Sequence, residues 1–212
     1  MNVIRHPLRR TAIPIFFLLA LTVGAAGAQN LLMNPDFDDG LTGWQVTFGG
    51  TWSAQPDSGG CTLSSAAGGD STASGGGDPI MGLVTEQCIA IDSVATPSLY
   101  LGAMYQSTAD IYARFYLELF SDAACNTHSS WSAQAFGGTS AAWNRVMSAI
   151  AIEPAASSLR VWVDIIPATS GAPPFAAAID RLYLGVEPQL FLDGFEPESG
   201  TTCYWSSVVG EI

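Results

Sequence analysis

Two segments of the chain alternate aromatic and charged residues at every second position. In residues 111–120 and 158–166, aliphatic side chains take one set of alternate positions, so the others share the opposite face of an extended strand. Aromatic rings beside hydrogen-bonding charged groups can line a ligand groove. The same composition also stabilises a solvated sheet face through cross-strand pairs. The residues of these two faces are Tyr112, Arg114, Tyr116, Glu118, Arg160, Trp162 and Asp164.

Two of these residues, Glu118 and Asp164, are a candidate carboxylate pair for acid–base hydrolysis of a glycosidic bond. Each has an arginine four residues away on the same face, which favours an ion pair over a proton-donating carboxylic acid. After residue 28 the chain has one histidine, His128, in a polar segment, which weighs against a Ser/His/Asp arrangement. We therefore predict that the protein is not an enzyme.

Six runs of strand length follow one another from residue 83, separated by turn-forming residues. No stretch shows sustained helical periodicity, so the pattern predicts an all-β fold, an antiparallel two-sheet sandwich or barrel. Residues 58–79 are rich in Gly, Ser and Ala and are predicted to form a long loop with at most one short strand. The six predicted strands are Leu83–Ile91, Ser98–Gln106, Ile111–Phe120, Trp143–Ile152, Ser158–Ile166 and Ala176–Leu184.

The first 28 residues have the composition of a secretory signal peptide. Arg5, Arg9 and Arg10 precede an apolar stretch, and small residues follow it at the expected cleavage site. We therefore expect the protein to be secreted, periplasmic or on the cell surface. The apolar stretch is shorter than the ~20 residues that a membrane span needs, and no later segment predicts a span.

The chain is acidic. It has 19 Asp and Glu against seven Arg and no Lys, a formal net charge of −12. Without the first 28 residues, four Arg remain against the 19 carboxylates, a net charge of −15. Because such a surface repels phosphate backbones and anionic lipids, we predict neither nucleic-acid binding nor electrostatic membrane docking. Neutral polymers and cations are the better partners.

The four cysteines, an even number in a chain predicted to be exported, favour disulfides. They are Cys61, Cys88, Cys125 and Cys203, and three connectivities are open. A structural zinc site is not expected, since there is no CxxC pair and only His128 could add an imidazole.

Residues 30–44, NLLMNPDFDDGLTGW, resemble the start of carbohydrate-binding modules of families 4 and 9, whose usual form is N-L-x-x-N-x-x-F-E-x-G-x-x-G-W. Residues 178–184, AIDRLYL, resemble the closing strand of the same modules. The resemblance covers about residues 30–186 and implies a galactose-binding-like β-jelly roll of two antiparallel sheets. It divides the chain into a signal peptide (1–28), the sandwich (29–187) and a tail (188–212).

The resemblance also implies a structural calcium ion where the N-terminal turn meets the last strand. Asp38, the Gly40 region and Asp180 supply oxygen atoms of the kind that calcium binds. The family has a second acid where this chain has Arg181, so the cation's charge can instead come from the arginine. In the other interpretation, the acids at 36–39 only cap turns.

The cysteine-bearing segments 86–89 and 120–125 resemble strands of secreted bacterial relatives. The resemblance therefore implies a Cys88–Cys125 disulfide, which leaves Cys61 and Cys203 as a second pair.

Modules of this type bind sugars with aromatic planes and nearby amides, carboxylates and arginines, which is the role that the resemblance implies for the seven residues of the two faces. Trp44 is expected in the core, and Trp131 and Tyr105 are candidates for the rim. The sequence therefore predicts an exported, non-catalytic protein that binds a neutral poly- or oligosaccharide. The alternatives are a structural or adhesive envelope protein without a sugar site, and a small glycan-cleaving enzyme.

Residues 190–206, LFLDGFEPESGTTCYWS, resemble a D-G-F-E…W-S ending of exported proteobacterial proteins. This tail is a candidate for docking to an envelope partner, or for packing on the sandwich.

Overall fold

The structure, a computed structural model, describes residues 30–50, 52–58, 65–73, 78–139 and 141–188. The predicted signal peptide, all but the first residue of the predicted tail, Cys61 and Cys203 lie outside these residues. Within them the chain forms 13 strands and no helix, so none of the described residues belongs to a helix able to cross a membrane.

The strands, numbered in chain order, form two antiparallel sheets packed as a β-sandwich jelly roll, as predicted. The larger sheet has the order β1-β5-β12-β8-β10, with β4 on β5, β6 on β12 and β9 on β8; the smaller has the order β11-β7-β13-β3-β2. The eight-stranded sheet contains β1 (Trp44–Phe48), β4 (Thr72–Ala73), β5 (Pro79–Thr85), β6 (Ile89–Ala90), β8 (Ile111–Phe120), β9 (His128–Trp131), β10 (Ala135–Gly137) and β12 (Ser158–Pro167). The five-stranded sheet contains β2 (Trp52–Pro56), β3 (Ser65–Asp70), β7 (Ser98–Ser107), β11 (Asn144–Ala151) and β13 (Ala176–Gly185).

The core lies between the sheets and is built from alternate residues of the long strands. On β8 and β12 the aliphatic faces predicted from the sequence are buried, which turns the aromatic and charged faces outward. The buried residues are Ile111, Ala113, Phe115, Leu117, Leu119, Leu159, Val161, Val163 and Ile165.

Five of the six predicted runs match single strands to within two residues at each end, and the first run divides into β5 and β6. The prediction for residues 58–79 was wrong. This region contains β3, which lies inside the five-stranded sheet between β2 and β13, and the short strand β4. Its small residues are a packing requirement, because a Cβ at Gly68 would lie 2.3 Å from the Gln55 Cγ and 3.2 Å from the Ala178 Cβ.

The N-terminal segment runs beside the second half of β13, beyond the point where pairing with β3 ends. The Leu31 amide donates to the Leu184 carbonyl at 2.8 Å, and the Leu182 amide donates to the Pro35 carbonyl at 3.0 Å. The following turns place Trp44 in the core, as expected: its side chain is buried and its indole Nε1 donates to the Asn34 carbonyl at 3.2 Å.

The Cys88–Cys125 disulfide is confirmed. It joins the turn between β5 and β6 to the loop between β8 and β9, which fixes the end of the eight-stranded sheet where β9 begins.

Candidate functional site

All seven predicted ligand residues lie on the outward side of β8 and β12, which are adjacent antiparallel strands of the eight-stranded sheet. The register sets Tyr116 opposite Trp162, Arg114 opposite Asp164 and Glu118 opposite Arg160. Tyr112 faces Ile166 at one end of the same row. The structure therefore brings the seven residues together, while their role in ligand binding stays a prediction.

Asp164 is the centre of the polar contacts on this face. Its carboxylate is almost fully buried, and its Oδ2 accepts hydrogen bonds from Arg114 Nη2 at 2.6 Å and from the Tyr116 hydroxyl at 2.7 Å. Burial, together with donation to Asp164, raises the pKa of the Tyr116 phenol far above its usual value. Tyr116 therefore stays a neutral hydrogen-bond donor at any physiological pH.

The other charged residues of the face are also held by neighbours. The Trp162 indole Nε1 donates to Glu118 Oε2 at 2.9 Å. The Arg160 guanidinium lies over the Phe120 ring, 5.7 Å from its centroid, and the Arg114 guanidinium lies 5.8 Å from the Tyr116 ring centroid. These contacts fix the side chains in position and leave the face as a preformed surface.

Three aromatic rings form a cluster at the edge of the sheet. The rings of Tyr116 and Trp162 are stacked with centroids 6.3 Å apart, and Trp131 of β9 packs against both, at 5.4 Å and 5.5 Å. Trp131 remains 48% exposed, which agrees with its predicted rim position. Tyr105, the other rim candidate, instead lies in the core, because β7 turns it inward.

Two further exposed aromatic residues, Phe48 of β1 and Phe136 of β10, flank the face and were missed in the sequence. Phe136 lies opposite Arg114 and lies between Ala135 and Gly137, both of which face inward. That small–aromatic–small alternation was the available signal for Phe136. The signal for Phe48 was hidden, since a register shift after Val46 breaks the alternation of β1.

Gly82 of β5 lies opposite Asp164, at a point where β1, β5 and β12 pack closely together. A Cβ on Gly82 would lie 2.5 Å from Thr47 Oγ1, 3.0 Å from Phe48 Cδ2 and 3.3 Å from Asp164 Oδ1. Thr47 Oγ1, Asp164 Oδ1 and Arg114 Nε are all buried without a hydrogen-bond partner. Unpartnered buried polar atoms are rare in native proteins and frequently mark sites that meet a ligand or water. We call this closely packed group of Gly82, Thr47 and Asp164 the Gly82 niche.

A depression of about 390 Å³ lies on the outer face of the five-stranded sheet. Small and polar residues line it, among them Gln55, Asp70, Gln106 and Thr108, and none of its lining residues is aromatic. The β8–β12 face has the stronger chemical features for a ligand, since it carries the exposed rings and the unpartnered buried carboxylate oxygen.

Two of the three predicted calcium ligands, Asp38 and Asp180, lie in an acidic pocket formed with Asp36 and Asp57 beside Arg181. Burial, with repulsion from Asp180 and Asp38, raises the pKa of Asp36 to about 6. Burial also raises the pKa of Asp180 to about 6, against the lowering effect of its hydrogen bonds and of Arg181. The pocket thus has more negative charge than its single arginine balances.

In this structure, protein donors bond the oxygen atoms of the predicted calcium ligands. Calcium requires six to eight oxygen atoms at about 2.3–2.6 Å. The two Asp180 oxygens accept the Ser58 and Arg181 amides at 2.8 Å and 2.7 Å, and Asp38 Oδ1 accepts the Ser65 amide at 3.0 Å. The Gly40 carbonyl accepts the Asn34 Nδ2 at 2.9 Å. No group of three or more His, Cys, Asp or Glu among the described residues is arranged to hold a metal ion.

The fold and the β8–β12 face together define a jelly-roll sandwich with an aromatic and polar outer surface. A comparison with protein-family models finds no match, and a comparison with curated proteins finds none at significance. Solved structures do match. The chain is similar to part of an arabinose-bound GH51 α-L-arabinofuranosidase, at 16% identity and a TM-score of 0.54, over 75% of this chain and 26% of that one.

It is also similar to part of the enzymatically active domain of tailspike protein 4 of bacteriophage CBA120, at 13% identity and a TM-score of 0.53. That match covers 74% of this chain and 21% of the tailspike chain, so this chain spans only about a fifth to a quarter of these two proteins. A family 16 carbohydrate-binding module matches over 73% of this chain and 99% of its own, at 16% identity and a TM-score of 0.49. At these identities the similarity concerns the fold.

Proposed function

We propose that the protein binds a neutral poly- or oligosaccharide on the β8–β12 face and does not cleave it. The observation that carries the proposal is the register of β8 and β12, which sets Tyr116 and Trp162 side by side, above a buried Asp164 that keeps one oxygen unpartnered. Membership of the carbohydrate-binding module families 4 and 9 is part of the same proposal.

Pyranose rings present apolar C–H faces and a rim of hydroxyl groups. In our proposal, Trp131, Tyr112 and the edges of Tyr116 and Trp162 contact the apolar faces, because aromatic planes offer apolar area with little entropy to lose. Because Asp164 Oδ1 is buried, the Thr47 side chain has to move aside before a sugar hydroxyl can donate to this oxygen. A hydrogen bond to a charged acceptor contributes about 1.5–3 kcal/mol, so this contact would orient the chain of sugars.

The absence of catalysis is supported by the contacts of the two carboxylates. Asp164 accepts hydrogen bonds from Arg114 and Tyr116, and Glu118 accepts one from Trp162. A glycosidase needs one carboxyl group to donate a proton to the leaving oxygen. Both carboxylates here are engaged as acceptors by neighbouring side chains, an arrangement that suits recognition of hydroxyl groups better than proton donation.

The test is binding of the purified chain to cellulose, xylan, mixed-linked β-glucan, mannan and starch, by pull-down for insoluble polymers and by affinity electrophoresis for soluble ones. Trp162→Ala should abolish a saturable binding that the wild type shows. Tyr100→Ala is the matched control, since it removes a half-buried aromatic ring from the outer face of the five-stranded sheet. Binding lost in Gln106→Ala but kept in Trp162→Ala would move the site to the depression on the five-stranded sheet.

The second candidate function is a structural or adhesive envelope protein. It is favoured by the ion pair of Arg114 with Asp164 and the hydrogen bond from Trp162 to Glu118, which give these groups a stabilising role without a ligand. A folded wild type that binds none of the polymers, and shows no hydrolysis of them, would support this candidate against the first.

We further propose that the protein is secreted, periplasmic or on the cell surface, and that the tail docks to an envelope partner. The composition of residues 1–28 and the D-G-F-E…W-S pattern support this proposal. Fractionation of cells that express the full chain, with and without residues 190–212, would test it. Retention of the full chain in the cytoplasm would contradict export, and an unchanged distribution without the tail would contradict docking.

A further inference from the structure

Arg181 occupies an unusual backbone position in β13. The pairing of β13 with β7 shifts between Asp180 and Tyr183, so that β13 has one residue more than the facing part of β7, a β-bulge. Arg181 has a φ of +49°, a conformation that non-glycine residues seldom adopt within a strand. The extra residue turns Arg181 out of the core, and Leu182 and Leu184 then resume the inward positions.

The bulge directs the Arg181 side chain into the acidic pocket. Its Nη2 lies 3.5 Å from Asp57 Oδ2 and its Nε lies 3.9 Å from Asp180 Oδ2. The side chain of Arg181 is 21% exposed, and those of its two partners are 3% and 1% exposed. Buried carboxylates need ion pairing or hydrogen bonds, and the guanidinium lies at ion-pair distance from both.

The same position is where the sequence resemblance places a metal. A calcium ion and a guanidinium in one pocket would repel each other, so the pocket does not favour a calcium ion while the Arg181 guanidinium lies beside Asp57 and Asp180. The mismatch with the resemblance therefore arises from Arg181 and from the bulge that orients it.

We propose that the Arg181 guanidinium is the built-in cation of the acidic pocket, that it replaces a bound calcium ion, and that its removal converts the pocket into a calcium site. The pocket then stabilises the junction of the N-terminal segment with β13 without any metal. The inference concerns the acidic pocket alone and does not depend on sugar binding.

The test compares the full chain with Arg181→Asp after chelation, by thermal unfolding and by calorimetric titration with calcium chloride. Aspartate is the suitable replacement, since Asp and Asn tolerate positive φ better than most residues. Wild type should bind no calcium and keep its unfolding midpoint within about 1 °C when calcium is added. Arg181→Asp should unfold at a lower temperature in chelator and regain about 5 °C at about 10 mM calcium, if it binds in the range of ~0.1–1 mM typical of extracellular modules.

Two controls separate this result from changes in charge or ionic strength. Arg145→Asp makes the same change of charge on β11 and should stay insensitive to calcium, as should every variant in magnesium chloride of equal ionic strength. Arg181→Lys keeps a cation and should also stay insensitive. Calcium binding by the wild type would overturn the proposal. So would an Arg181→Asp variant that binds no calcium, or one that fails to fold at every calcium concentration.

Discussion

At the scale of single residues, the chemistry of the candidate site is concentrated in Asp164. One carboxylate oxygen accepts hydrogen bonds from Arg114 and Tyr116, which hold the side chain in one orientation. The other oxygen is buried in the Gly82 niche without a partner. A group fixed on one side and unsatisfied on the other is preorganised for a donor from outside, and we therefore expect this niche to determine ligand affinity.

Gly82→Ala tests the niche. The new methyl group would lie 2.5 Å from Thr47 Oγ1 and 3.3 Å from Asp164 Oδ1, so it would displace Thr47 and block access to the carboxylate. We therefore expect the affinity for the sugar ligand to fall at least about tenfold, which corresponds to the loss of one hydrogen bond to a charged acceptor. The unfolding midpoint should fall by a few degrees. The double variant Thr47→Ala/Gly82→Ala should recover the midpoint and not the affinity. Gly138→Ala is the control, since a Cβ there meets no atom within 4 Å. Unchanged affinity in Gly82→Ala would contradict the niche, as measured by calorimetry.

Asp164→Asn tests how much the contacts of Asp164 with Arg114 and Tyr116 contribute to stability. The substitution leaves Arg114 without its charged partner, and since Arg114 is 30% exposed we expect a loss of about 1–3 kcal/mol in the free energy of unfolding, below the full cost of breaking a buried pair. Tyr116→Phe removes one donor only and should cost about 0.5–1.5 kcal/mol. Urea denaturation measures both. The exposed Asp70→Asn should change stability by less than about 0.5 kcal/mol, and an Asp164→Asn variant no less stable than this control would refute the assignment.

At the scale of elements, the sequence predicted the long strands and missed the short ones. Core-facing and outward-facing residues alternate along the ten residues of β8 and of β12, so the pattern predicts both the strand and its buried face. β3 is an Ala- and Gly-rich strand whose composition is that of a loop, and its strand character comes from close packing against β2 and β13. Such a requirement is tertiary and leaves no periodic signal.

The candidate site was partly predictable for the same reason. The seven residues share two alternating strands, so their common face followed from the pattern once the strands were neighbours. Gly82, Thr47 and Phe48 reach the site from β5 and β1, and the register shift in β1 removed the alternation that would have placed Phe48 outward. Register between distant strands depends on the whole sheet, which a single sequence does not specify.

The Cys88–Cys125 disulfide acts at this scale too, because it joins two connections of the eight-stranded sheet that are 37 residues apart in sequence. A disulfide that closes a loop of that length in the unfolded chain adds about 2–4 kcal/mol to the free energy of unfolding. We expect Cys88→Ala/Cys125→Ala to lose that amount in urea denaturation under oxidising conditions. Adding a reductant should destabilise the wild type by more than the double variant, which keeps only Cys61 and Cys203. Equal stability of wild type and variant would show that the bond is not formed in solution.

At the scale of the whole molecule, the candidate site differs from the rest of the protein in its net charge. The chain has a net charge of −12, whereas the β8–β12 face combines two arginines with two carboxylates and is locally neutral. Long-range fields act on charged ligands and are screened by salt within about 10 Å at 0.1 M. A neutral glycan on a neutral face would therefore experience little of the molecule's field, while an anionic glycan would be repelled before reaching the face.

This contrast predicts the salt dependence of binding. Affinity for the neutral polymer should change by less than about twofold between 20 mM and 500 mM sodium chloride, because hydrogen bonds and ring contacts are insensitive to screening at that range. Polygalacturonate and alginate, tested at the same concentrations, should not bind at low salt. Calorimetric or electrophoretic titration at several salt concentrations measures both, with Arg145→Asp as a control that makes the molecule still more acidic away from the site. An affinity that falls steeply with salt would instead indicate an ionic ligand held by Arg114 and Arg160, and would overturn the neutral-glycan assignment.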